Sequence, residues 1–207
     1  MSKNAFVVDK LKENGALILG KTNLSEWAYY FCNNCPSGYS ALGGQTLNPY
    51  GRKIFDSGGS SSGSGAAISA NFSSVSLGSE TSGSILSPSS ANSIVGLKPT
   101  IGQVSRSGIV PISSTLDTSG PMTKNVIDNA IVLKAVSGFD ENDFMSVNSE
   151  DIDLESIVNS SLKGKRFGVF NEFLNDSLYL SAVNKIEKLG GTFIKFNPPQ
   201  IYFNGFR

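Results

Sequence analysis

The sequence predicts an α/β fold, and three observations predict it. An amphipathic stretch near the start leads through a glycine into a short apolar run. The same helix–glycine–strand order returns near the end. Between them, Gly/Ser-rich clusters alternate with apolar segments, which a linker does not do.

Taken in order, Ala5 to Asn14 carries Val7, Val8 and Leu11 at helical spacing, with Gly15 as the terminator. Ala16 to Gly20 follows as an apolar run, the pattern of a buried strand. Ser57 to Ala67 is almost entirely Gly and Ser, and Ala66, Ala67, Ile68, Ala70 and Phe72 continue it as a small-residue helix suited to close packing. A short strand, Ser74 to Leu77, leads into a second cluster, Gly78 to Ile85. A third, Gly96 to Gly102, is also sharply turned. Lys165 to Phe170 reads as a strand. Leu178, Ala182, Val183, Ile186 and Leu189 read as a helix stopped by Gly190-Gly191, and Thr192 to Phe196 as the strand after it. The stretch from about Asp140 to Asn159, rich in Asp and Glu, reads as a solvated connection between two halves, with nothing to fix a carboxylate metal site.

Composition excludes several classes of function. Lys plus Arg and Asp plus Glu are both 17, so no basic excess exists to hold nucleic acid or an anionic membrane. No apolar segment approaches a membrane span and the first ten residues lack a leader's apolar core, which points to a cytoplasmic or organelle-lumen protein. There is no histidine. That removes Ser-His-Asp and Cys-His catalysis and nearly every catalytic zinc site, so hydrolytic chemistry here needs another base. Cys32 and Cys35 have redox or half-zinc spacing, but Pro36-Ser37-Gly38 follows as loop, and two free loop thiols are the expectation. Phosphate-cradling motifs fail too. There is no GxxxxGK[ST], and Gly63-Ser64-Gly65-Ala66-Ala67-Ile68 breaks GxGxxG at its third glycine.

Gly58-Gly59-Ser60-Ser61-Ser62-Gly63-Ser64, Gly78-Ser79-Glu80-Thr81-Ser82-Gly83-Ser84-Ile85 and Gly96-Leu97-Lys98-Pro99-Thr100 together resemble the amidase signature. Gly20 to Ala28 before them agrees, as do Val104 to Gly108 and Asp117 to Met122 after them. The resemblance implies a mixed β-sheet flanked by helices on both faces. It further implies that residues 1–207 form a single amidase-signature domain, incomplete at both ends, with core motifs in 15–125 and a weaker part in 160–200. The end, Ile201 to Arg207, closes on aromatics without a capped element, as a cut chain would.

The resemblance also implies roles. Ser84 falls on the nucleophile and Ser60, which follows a cis peptide in the family, on the serine that relays the proton. Thr81, Ser82 and Gly83 fall on the backbone donors of the oxyanion hole, where one donor is typically worth about 3 kcal/mol. A neutral lysine is the ultimate base in the family, and its segment lies upstream of the positions available here. Lys10, Lys12 and Lys21 do not take its role. Ser82 stands where relatives have Gly or Asp. Ser61, Ser62 and Ser64 are expected as helix-capping and turn residues, Lys98 as a structural charge beside a turn, and Trp27, Tyr29, Tyr30 and Phe31 as core packing. The implied reaction is hydrolysis of a small-molecule amide through an acyl-serine, with no cofactor and no metal. The alternatives are an inactive fragment or one half of a split protein with a complementing chain, and the glutamine-hydrolysing component of a tRNA amidotransferase.

Overall fold

The computed structural model describes residues 3–30 and 34–197. Cys32, Phe31 and the Ile201–Arg207 end lie outside them. The chain divides into two compact units, Met1–Leu154 and Glu155–Arg207.

In the first unit, helix α1 (Phe6–Glu13) buries Val7. It stops as Gly15 takes φ +80°, with Gly15 N–H on the Lys12 carbonyl and Ala16 N–H on that of Leu11. Those two bonds satisfy carbonyls the helix leaves open. The following run is not the buried strand its apolar character suggests. Ala16 to Gly20 pairs with no described strand, and Leu17 is 89% exposed. An apolar run reports affinity for a partner, and no described residue supplies one.

A small hairpin, β1 (Tyr39–Ser40) and β2 (Gly44–Gln45), precedes the centre. Helix α2 (Ser62–Ser69), strand β3 (Val75–Glu80), helix α3 (Leu86–Ala91), strand β4 (Val95–Gly96), strand β5 (Thr118–Thr123) and helix α4 (Val126–Val136) then follow. The strands form an antiparallel sheet in the order β3-β5-β4. Its middle strand is wholly buried despite containing Gly120-Pro121. Pro121 has no N–H to give, yet its carbonyl still receives the Leu97 N–H at 3.1 Å. The Asn125 side chain caps α4 through the Asp128 N–H. Val7, Val104, Val132 and Val136 form an apolar cluster with Val75 and Leu77 packed on it.

Helix α2 packs by hydroxyls and by closeness. Gly63 donates its N–H to the Asn23 carbonyl at 2.9 Å, and a Cβ there would stand 2.3 Å from that oxygen. Ser61 takes the N-cap position, as expected, but its side chain makes no cap bond, and Ser61, Ser62 and Ser64 act as buried staples. Ser61 Oγ donates to the Ser79 carbonyl, Ser62 Oγ to that of Gly58 and Ser64 Oγ to that of Leu77. In a helix with no large apolar face, such bonds replace side-chain packing.

The Asp140–Asp143 part of the acidic stretch is also not a solvated connection. Asp140 and Asp143 are 7% and 6% exposed and hydrogen-bonded to Ser105 and Arg106.

Short helix α5 (Leu154–Val158) contains the boundary to the second unit. There, β6 (Arg166–Phe170), α6 (Ser177–Lys188) and β7 (Thr192–Phe196) make a βαβ element with β6 and β7 parallel. Asp176 caps α6 through the Tyr179 N–H, and Gly190 at φ +93° ends it. Phe170 and Phe196, paired across the two strands, have ring centroids 4.8 Å apart. No described helix is long and apolar enough to cross a membrane.

Candidate active site

The site is built where α2 and the turn after β3 begin. The Gly59–Ser60 peptide is cis. Ser60 is buried, its carbonyl takes the Ser25 N–H at 2.9 Å, and Ser61 N–H reaches the Ser84 carbonyl at 3.1 Å. The two expected catalytic serines thus belong to segments joined backbone to backbone. Both line a cavity of about 1280 Å³ in the first unit, together with Thr81. Ser82, which is exposed, and Gly83 are not among its walls.

Glu80 organises the turn. Its buried carboxylate accepts the N–H groups of Ile85 and Leu86 on Oε2, at 2.7 and 2.9 Å. Those are the orphan donors at the start of α3. Among the described residues, no acceptor takes the N–H groups of Thr81, Ser82, Gly83 or Ser84. Gly83 makes the turn at φ +87°, and its carbonyl receives the Ser87 N–H. Lys98 holds the other side, donating to the Thr81 carbonyl at 2.6 Å with its Nζ 4.0 Å from Glu80 Oε1. That matches its reading as a structural charge beside a turn. Thr81 Oγ1 also donates to Asp117. Neither Glu80 nor Asp117 stood out as a functional position in the sequence. The available signal was Glu80 just ahead of the turn, a carboxylate shortly before a run of helix N–H groups.

The cavity wall differs from expectation in its aromatics. Trp27 and Tyr30, read as core, line the cavity with 57% and 79% of their surface exposed. Trp27, Ala28 and Tyr29 all have positive φ, which turns this segment outward. Tyr29 is half-buried, with its hydroxyl over Gly59. Cys35 is disulfide-bonded, which corrects the expectation of free thiols.

On the far wall, Arg106 makes a two-pronged pair with Asp143, Nη2 to Oδ1 at 2.6 Å and Nε to Oδ2 at 3.0 Å. The Arg106 hydrogen bond, outweighing burial, lowers the Asp143 carboxyl to about 2 and raises the guanidinium above its ordinary value. Burial alone would raise Asp140, but hydrogen bonds from the Ser105 hydroxyl and from the Asn142 N–H and side-chain amide hold it well below the usual carboxylate range. Both charges of the pair are therefore spent on each other and on the loop. No group of three or more His, Cys, Asp or Glu among the described residues could hold a metal ion.

The family model described as Amidase matches residues 1–203. The chain belongs to the amidase family. A probable amidase of Arabidopsis thaliana is 45% identical over 174 residues, covering 82% of this chain and 34% of its own length. A glutamyl-tRNA(Gln) amidotransferase component of Dehalococcoides mccartyi is 42% identical over 183 residues, covering 88% of this chain and 36% of its own. The native peptide amidase of Stenotrophomonas maltophilia superposes with a TM-score of 0.86 at 41% identity, covering 94% of this chain and 42% of that one. The chain thus spans about a third of the length of the curated relatives it matches. The α/β amidase fold expected from the sequence is the one these neighbours share.

Proposed function

We propose that this chain carries the serine machinery of an amide hydrolase. The observation that supports the reading is the joining of the Ser60 and Ser84 segments on one cavity wall, beside a turn whose N–H groups have no described acceptor. Ser84 Oγ attacks the amide carbonyl while Ser60 takes its proton and passes it towards the leaving nitrogen. The carbonyl oxygen gains negative charge, which the N–H groups of Thr81, Ser82 and Gly83 stabilise. The C–N bond breaks, ammonia or an amine leaves, and an acyl-Ser84 ester remains. Water then attacks the ester, returning the proton to Ser84 and releasing the acid. Residues 1–207 are taken as a single, incomplete amidase-signature domain, with core motifs in 15–125 and a weaker part in 160–200.

A second reading gives the ultimate base to a complementing chain. It is favoured because the resemblance carries the lysine role to none of Lys10, Lys12 and Lys21, and because an amidotransferase component is among the relatives. The glutamine-hydrolysing role within an amidotransferase ranks below both. Ammonia release from a panel of primary amides and glutamine, measured for this chain and for Ser84→Ala, tests the first reading. Release that vanishes in the variant supports it. Equal release, or none, refutes it for the chain alone.

A further inference from the structure

We propose that Asp117 is a positioning residue that ties the cavity wall at 109–114 to the oxyanion turn, so that both are held as one unit. The inference rests on the amidase reading of the site.

Asp117 is half-buried and directly precedes the wholly buried middle strand β5, which fixes its backbone. Its two carboxylate oxygens face different segments. Oδ1 accepts the Thr81 hydroxyl, from the first residue of the turn. Oδ2 accepts the N–H groups of Ile112 and Ser113 at 2.7 and 2.8 Å. The next residue is pinned by Arg106, whose Nη1 donates to the Ser114 carbonyl at 2.6 Å while Asp143 holds the guanidinium. Ile112, at the pins, and Val110, just before them, line the cavity with 58% and 63% of their surface exposed. That apolar surface would meet the acyl part of an amide.

The arrangement has a consequence for chemistry. A carboxylate near a developing oxyanion is repulsive unless its charge is absorbed, and here three donors absorb it. Thr81 is meanwhile held from both sides, through its hydroxyl by Asp117 and through its carbonyl by Lys98. Holding the Thr81 carbonyl fixes the Thr81–Ser82 peptide plane, and with it the direction of the Ser82 N–H, which is what preorganised stabilisation requires. A substrate pressing on the 109–114 wall therefore presses, through one side chain, on the donors for its own carbonyl oxygen.

The test uses the full chain as wild type, Thr81→Val, Asp117→Ala and Asp117→Asn. Thr81→Val cuts only the bridge and leaves the loop anchored on Oδ2. Asn can accept both loop N–H groups on its oxygen and donate its NH₂ to Thr81 Oγ1, so it rebuilds the connection. The readouts are kcat and KM on acetamide and phenylpropionamide, affinity for phenylethylboronic acid as a tetrahedral mimic, and hydrogen exchange of segments 81–86 and 109–117. The expected result for Thr81→Val is a kcat loss of about tenfold or more on both amides, KM within about twofold, and weaker boronate binding in proportion. Exchange speeds up in 109–117 as well as 81–86, although the altered residue lies only in the latter. Asp117→Ala adds a rise in KM for phenylpropionamide, and Asp117→Asn recovers most of the kcat. Unchanged exchange of 109–117 in Thr81→Val overturns the proposal, as does an Asp117→Ala variant that moves KM alone. If wild type and Ser84→Ala release equal ammonia, the amidase reading falls, and the exchange data still decide the coupling.

Discussion

Truncating Glu80 should loosen the turn before α3 by an amount that the geometry sets. Its Oε2 receives two backbone N–H groups, and its side chain is 3% exposed. Hydrogen bonds to a charged group are each worth about 1.5–3 kcal/mol, so Glu80→Ala should cost about 3–6 kcal/mol. That is a large fraction of the roughly 5–15 kcal/mol that holds a domain folded. Glu80→Gln is milder for a specific reason. Both N–H groups land on the same oxygen, so the Gln carbonyl can take both and only the charge assistance is lost. Charge roughly doubles such a bond, so the expected cost is about half that of the Ala variant. Urea unfolding followed by circular dichroism measures both values, with an unchanged slope required for the comparison. If Glu80→Ala costs under about 1 kcal/mol, or if Gln is as damaging as Ala, the carboxylate does not organise the turn.

Gly63→Ala places a Cβ 2.3 Å from the Asn23 backbone oxygen, so α2 must move away and stability should fall by about 1–3 kcal/mol in the same urea assay. The pH dependence has a definite sign. Asp143 and Asp140 both titrate lower in the folded chain than their ordinary value. The stabilisation from Asp143 is complete above the unfolded value near 4 and is lost as pH falls through that value towards about 2, and that from Asp140 persists to lower pH. Unfolding followed from pH 5 to pH 2 should show this loss, and Asp143→Asn should flatten it.

The elements legible in the sequence are those whose signals are local. α1 and α6 announce themselves by helical spacing and by glycines that end them at positive φ, and β6 and β7 by apolar runs that find each other. β5 was not legible as a strand, because Gly120-Pro121 argues against one and only its pairing with β3 and β4 overrules that. α4 was hidden because apolar residues surround it. Val132 and Val136 are buried while Ile127 and Ile131 are exposed, so no period stands out. Within the candidate site, Ser60 and Ser84 were found by resemblance, and the structure brings their segments together. The supporting carboxylates were not found, since Asp117 and Asp143 meet partners 36 and 37 residues away and no local pattern reports such a bond.

The way α2 is stapled bears on how this chain responds to temperature. Uncovering apolar surface raises the heat capacity on unfolding, while uncovering polar surface lowers it. A helix whose buried face consists of Ser62, Gly63, Ser64, Gly65, Ile68 and Ser69 releases mostly hydroxyls and peptide groups when it opens. Its share of the heat-capacity change is therefore small, well under the roughly 12–15 cal/mol/K per residue of ordinary domains. The segment carrying Ser60 should thus have a flatter stability curve than the valine cluster beneath α1, keeping more of its grip in the cold, where apolar contacts weaken.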